Sequence, residues 1–239
     1  MGQIFNREQI APTVACLQQP DGTGSVKTGT ASFVVDGDRA YVLTASHVAN
    51  DMRIDGAIIL GDKESNPIVL KWPDLISGAP KLNWIHHPVG DLAIIELRPN
   101  PQISKEQLQG RFIPRTMICS TQDPPDRDTH LTSIGFPLGL GTTGFFSPLT
   151  FESKASSALV TLPRVDTKRL SPFFILQDPS IGGYSGGPVY DLSIVRMGLM
   201  ASRGDGTVLH GVMHGTLSDD TGGKLAAVTP AYLINDLLP

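Results

Sequence analysis

Gly183-Tyr184-Ser185-Gly186-Gly187-Pro188 sets one serine among glycines late in a chain of 239 residues. Upstream stand Thr44-Ala45-Ser46-His47-Val48 and His87-Pro88-Val89-Gly90-Asp91-Leu92-Ala93. Read in order, they supply a His, an Asp and a Ser; Asp91 follows His47 by 44 residues and Ser185 follows Asp91 by 94. A serine hydroxyl is a poor nucleophile at neutral pH. It needs an imidazole to take its proton, and a carboxylate to fix that imidazole's tautomer and stabilise it once charged.

Gly-x-Ser-x-Gly also describes the nucleophile elbow of α/β-hydrolases, so the serine motif alone is ambiguous. That elbow leads into a helix, whereas Gly186-Gly187-Pro188 makes a poor first helical turn. Its order is also Ser, acid, His, and only 54 residues remain after Ser185. The order His, Asp, Ser fits this chain instead.

Strand signals dominate. Residues 28–35 alternate small and apolar side chains, turn at Asp36-Gly37-Asp38 and return through 39–45, a hairpin pattern. Short runs follow at 57–60, 67–71, 81–86, 92–97, 112–120, 130–136, 157–162, 173–177, 188–191, 197–202, 208–216 and 225–228. A dozen or so short strands punctuated by Gly, Pro, Asn and Asp predict an all-β protein of barrels or a sandwich. Residues 47–52 suit a single helical turn, and Thr229-Pro230 ahead of 231–238 reads as a cap, Pro at the first turn and an apolar stripe. A polar, Pro-bearing loop at 99–109 divides the strands into two roughly equal sets.

At this point the sequence resembles the trypsin-like (chymotrypsin-fold) serine endopeptidases, most of all the compact bacterial and HtrA-type protease domains, without a PDZ-like extension. The resemblance runs from Gly29-Thr30-Ala31-Ser32-Phe33-Val34 to the terminal helix. It implies two six-stranded antiparallel β-barrels with a short C-terminal helix: residues 1–110 carrying His47 and Asp91, and 111–239 carrying Ser185 and the S1 pocket. By the same resemblance Ser185 is the nucleophile, His47 the general base and Asp91 its orienting carboxylate. The backbone N–H groups of Gly183 and Ser185 are the oxyanion hole. The pocket base falls on Pro179, with Ser180 beside it; Asp178, one residue back, would give a preference for Lys or Arg only in a shifted register. Gly198-Leu199-Met200-Ala201-Ser202 stands where the family places its substrate-binding strand, and Ala201 or Ser202 where a serine often supports the Asp. Pro179, Ser180, Met200 and Ala201 then suggest a small or medium apolar side chain before the scissile bond.

Tyr184 departs from that pattern, because zymogens of the family usually carry Asp there to pair with a freed amino terminus. With Gly182-Gly183 ahead of it, the loop is either packed in place by Tyr184 or ordered by an activating protein partner; both stay open. His86 and His87 read as strand-end residues. His210 and His214 have helical metal spacing, but Gly211 and Gly215 spoil a helix, and four residues of strand span about 13 Å. No metal or cofactor is expected.

With 40% hydrophobic and 18% charged residues, the composition is that of a folded soluble domain. A net charge of −4 offers no basic patch for nucleic acid. No run is long enough for a membrane span, and the first twenty residues lack a secretory core. The expectation is a cytoplasmic protein, or a secreted or periplasmic one if a leader has been trimmed, acting on protein or peptide substrates. Cys16 and Cys119 have no motif spacing and read as reduced thiols. A peptide-binding or regulatory module on the same fold is the alternative from another class.

Overall fold

The computed structural model describes residues 4–164, 166–197, 200–203, 206–218 and 220–239. The first sheet is built from β1 (Val14–Pro20), β2 (Val26–Asp36), β3 (Arg39–Thr44), β4 (Ala57–Gly61), β5 (Pro67–Lys71), β6 (Ile85–His86) and β7 (Ala93–Leu97). Their order is β5-β4-β1-β2-β3-β7-β6, all antiparallel. The short β8 (Ile113–Pro114) adds parallel to β2, so this sheet extends past residue 110, where the first half was expected to close. The second sheet takes β9 (His130–Gly135), β10 (Leu149–Lys154), β11 (Val160–Pro163), β12 (Leu170–Leu176) and β13 (Pro188–Asp191). After a separate hairpin, β14 (Ile194–Met197) with β15 (Met200–Arg203), it adds β16 (Val208–Ser218) and β17 (Lys224–Pro230). The order is β10-β9-β13-β16-β17-β12-β11, again antiparallel.

Two antiparallel sheets with few helices make the all-β, trypsin-like fold. The side-chain period of two explains how they join. In β1, Ala15 and Leu17 point into the core of the first half, whereas Val14 and Cys16 point into a core shared between the halves. In β3, Val42 goes to the first core and Tyr41 and Leu43 to the shared one. The second half contributes Ile134, Phe136, Tyr190, Leu209 and Val212 to that shared core, together with Leu233 and Ile234 of the C-terminal turn. Both faces of these first-sheet strands are therefore buried, and docking the halves removes water from the cleft edge where their loops meet.

The β2–β3 hairpin forms where the sequence placed it, with Asp36 paired to Arg39 across Gly37 at φ 57°. Residues 81–86 are strand only at the last two positions, and 112–120 only at Ile113–Pro114, after which a 3-10 turn runs Arg115–Met117. The terminal helix is a 3-10 segment, Ala231–Asp236, capped by Pro230; Thr229 stays in β17, paired with Val212, and is not its cap. The strand expected at 197–202 begins on the last residue of β14 and continues into β15, with Gly198 and Leu199 outside the described residues. Both cysteines are free thiols. Among the described residues no helix is long and apolar enough to cross a membrane.

Candidate active site

His47 stands in the first turn of a short helix, Ser46–Asp51, that begins directly after β3. Asp91 immediately precedes the Leu92-Ala93-Ile94 run that leads into and through β7. The loop before it is braced by His87, whose Nδ1 accepts the N–H groups of Gly90 (2.7 Å) and Val89 (3.1 Å). His86 meets Ser46 Oγ at 2.7 Å. These two histidines therefore shape the segments that carry His47 and Asp91.

Asp91 is fully buried, and each of its oxygens meets two donors. Oδ2 accepts from His47 Nδ1 (2.7 Å) and His214 Nδ1 (2.5 Å). Oδ1 accepts from the His47 backbone N–H (3.0 Å) and Arg164 Nη2 (3.2 Å). Burial alone would raise the carboxyl's pKa, but the hydrogen bonds from His214 and His47 overcome it and hold Asp91 below the usual carboxylate range. For His47, burial pulls the pKa down. The hydrogen bond and charge of Asp91 outweigh it, so the imidazole sits above its ordinary value. With its proton on Nδ1 toward Asp91, His47 keeps a lone pair on Nε2, the atom a general base uses.

Ser185 lies on the loop before β13. Its hydroxyl donates to the backbone carbonyl of His214 at 3.0 Å, and among the described residues no hydrogen bond joins it to His47. The loop itself is fixed on every side. Thr30 N–H donates to Ser185 O (2.8 Å), Thr30 Oγ1 to Gly183 O (2.7 Å), and Leu138 N–H to Gly182 O (2.7 Å). In a trans peptide the carbonyl and the following N–H point opposite ways. Holding Gly182 O against Leu138 therefore turns Gly183 N–H away from it, and neither Gly183 nor Ser185 N–H has a partner within the described protein. Two unengaged donors on one tight loop are the elements of an oxyanion hole. Gly183 takes φ 102°, and a Cβ there would meet Phe136 O at 2.3 Å; Gly186 takes φ 85°, and its Cβ would meet Thr30 O at 2.1 Å. Tyr184 packs into the second half's core with its ring against Gly135, and its hydroxyl donates to Leu149 O at 3.3 Å. Of the two arrangements left open for this loop, the structure has the packed one.

A small cavity near the loop is lined by Asp178, Pro179, Ser180, Tyr184, Met213 and Ala226, among others. Met200, Ala201 and Ser202 do not join them as the substrate strand. They sit in β15, which among the described residues pairs with β14 alone, and their side chains lie outside the described part. The strand beside Ser185 is β16. Gly186 N–H donates to Met213 O (2.8 Å), Met213 N–H donates to Gly187 O (2.7 Å), and Thr216 Oγ1 donates to Ser180 O (2.8 Å). The carboxylate support expected at Ala201 or Ser202 comes from His214.

His214 and Arg164 are thus the site residues that sequence reasoning missed. His214 lies in a strand run with Gly211 and Gly215 around Val212-Met213-His214, and the register shifts between Met213 and Gly215; nothing in the sequence singles out Arg164. His47, Asp91 and His214 are a His/Asp/His trio whose ligand-type atoms lie within 4.8 Å of one another. Both histidine Nδ1 atoms already bond Asp91 Oδ2, and the fixed positive charge of Arg164 rests on the same carboxylate. The trio therefore works as a proton-donor cradle for Asp91.

The fold and the cleft define a trypsin-type double-sheet protein. The trypsin-like peptidase domain model matches residues 29–197, and the chain belongs to this family. Among solved structures, the MamO protease domain from Magnetospirillum magneticum (apo form) superposes with a TM-score of 0.63 at 13% identity, covering 98% of this chain and 100% of that one. The Rv3671c protease from M. tuberculosis, active form, gives 0.61 at 17% identity, covering 97% and 81%. A serine endoprotease from Yersinia pestis gives 0.54 at 19%, covering 97% and 63%. At such identities these likenesses show the fold alone. No curated protein matches by sequence.

Proposed function

We propose that the chain is a serine endopeptidase that cleaves peptide bonds through an acyl-enzyme, with His47, Asp91 and Ser185 as its triad. The observation that carries this reading is the pairing of an oriented imidazole with an unengaged donor loop. His47 Nδ1 is tied to a buried Asp91, while the Gly183 and Ser185 N–H groups of the serine loop have no partner among the described residues. For attack, the hydroxyl leaves His214 O and donates to His47 Nε2, a rotation about χ1 that costs little. Its oxygen adds to the substrate carbonyl as the proton passes to His47. The oxyanion is met by the two N–H groups, a stabilisation on the order of 3 kcal/mol per donor in proteases of this kind. His47 then protonates the leaving amine, and water repeats the sequence to release the acid.

Thr216 Oγ1 is bonded to Ser180 O, and the cavity that Ser180 lines is also lined by Pro179, Met213 and Ala226, with Asp178 engaged by Ser153. This supports a substrate with a small or medium apolar side chain before the scissile bond.

Treatment with a fluorophosphonate, followed by intact mass, tests the reading. The protein is expected to gain one adduct and the Ser185→Ala variant none, and a peptide library is expected to be cut after small or medium apolar residues. A folded protein that neither labels nor cleaves would favour the binding module and overturn the enzyme reading.

A further inference from the structure

Arg164 is the least expected member of the site. It lies just after β11 in the second sheet, is 4% exposed, and its guanidinium is fully used. Nη2 donates to Asp91 Oδ1 (3.2 Å), Nη1 to Gly90 O (2.7 Å), and Nε and Nη2 grip Asp166 at 2.9 and 2.6 Å. A buried guanidinium is costly to place unless every donor is matched, and here they are matched by the two carboxylates and by the backbone of the loop that presents Asp91. One side chain of the second half thereby sets both the position of a first-half carboxylate and the charge behind it.

We propose that Arg164 is a positioning residue for the Asp91–His47 pair, and that Arg164 and Asp166 act as a balanced ion pair that sets how tightly His47 holds its proton. The proposal rests on His47 serving as base in the function proposed above. Four charged or titratable groups bear on the His47 ring. Asp91 is bonded to it, Arg164 and Asp166 lie behind that carboxylate, and His214 stacks edge-on at 5.5 Å between ring centres. His86, on β6 and bonded to Ser46, feels the same three charges. Arg164 disfavours a proton on His47 and Asp166 favours it, in agreement with the opposed directions in which the two act on this imidazole. Removing one member leaves the other's charge uncompensated, so the two substitutions must move His47 in opposite directions. A pair that only tied β11 to the Asp91 loop would not do this.

The test is the titration of the His47 ring by NMR in a Ser185→Ala background, which needs no activity, with Arg164→Met and Asp166→Asn added singly. Arg164→Met is expected to raise the His47 midpoint, and Asp166→Asn to lower it, each by roughly 0.5–1 pH unit. In the wild-type background the acid limb of fluorophosphonate labelling should move the same way. Arg164→Lys, which keeps the charge but cannot form the fork, should keep the midpoint near the parent's and still slow labelling several-fold. Shifts of the same sign in both variants, or none in Asp166→Asn, would overturn the proposal. If Arg164→Met fails to fold, the sign of the Asp166→Asn shift decides alone. Opposed shifts in a protein that never labels would sink the enzyme reading and leave the ion-pair balance standing.

Discussion

The base side and the nucleophile side of the cleft are built in opposite ways. On the base side every lone pair of Asp91 is taken, two of them by second-sheet residues, Arg164 and His214. On the nucleophile side the backbone of 182–187 is pinned by Thr30, Leu138 and Met213, yet the Gly183 and Ser185 N–H groups have no partner among the described residues and the Ser185 hydroxyl donates to His214 O rather than to His47. The protein satisfies charge where it already exists, on the carboxylate, and leaves donors unpaired on the loop where the proposed mechanism would develop it. In the proposed mechanism this would be electrostatic preorganisation, since donors fixed in advance need not reorganise during reaction.

The largest effect should come from breaking the base side. Asp91→Asn keeps the shape but offers an amide NH2 to positions now filled by donors, and leaves Arg164 buried with one carboxylate instead of two. Labelling of Ser185 should fall by about 10^4-fold, and thermal unfolding should show a loss of roughly 3 kcal/mol or more. Labelling within tenfold of the parent would show that the nucleophile side suffices by itself.

The pH dependence should sharpen the contrast between stability and activity. His47 has a folded pKa above its unfolded one, so its stabilising contribution is complete below about 6.5, the unfolded value. It is lost as pH rises through the raised folded value. Asp91 is shifted down; its contribution is lost only as pH falls well below the unfolded value near ~3.9, outside this window. The base must be neutral to work, so labelling should rise across the same interval in which the melting temperature falls. Rates and melting measured from about pH 6 to 9 test this, and His47→Asn should flatten the melting trend. Melting and labelling that rise together would contradict it.

What the sequence made legible follows from which residues act through local pattern. The Asp36-Gly37-Asp38-Arg39 turn specifies its hairpin by itself, because a two-residue turn needs a left-handed residue there. β1 escapes the same reading. Val14-Ala15-Cys16-Leu17 is buried on both faces, so no polar alternation marks it as strand rather than helix. The segments bearing His47, Asp91 and Ser185 could be named because each combines a reactive side chain with turn or strand signals. The substrate strand was misplaced onto Met200-Ala201-Ser202 because a Gly followed by small apolar residues fits either strand. Only pairing with the Ser185 loop identifies Met213-His214-Gly215-Thr216 instead. Arg164 reaches Asp91 across 73 residues and between the two sheets, a relation no local pattern encodes.

The smallest effect should separate packing from hydrogen bonding on the nucleophile side. Tyr184 fixes the loop by burying its ring among Leu131, Val189 and Met213, whereas its hydroxyl makes one long bond to Leu149 O. Tyr184→Phe removes only that bond, a loss of about 1 kcal/mol or less, and labelling should stay within about twofold of the parent. Tyr184→Ala leaves a cavity costing about 3–5 kcal/mol and frees Gly182-Gly183, so its labelling should fall much further. If Phe and Ala slow labelling equally, the hydroxyl holds the oxyanion loop. If neither does, Thr30 and Leu138 hold it without the ring, and the loop's order is a property of its backbone bonds alone.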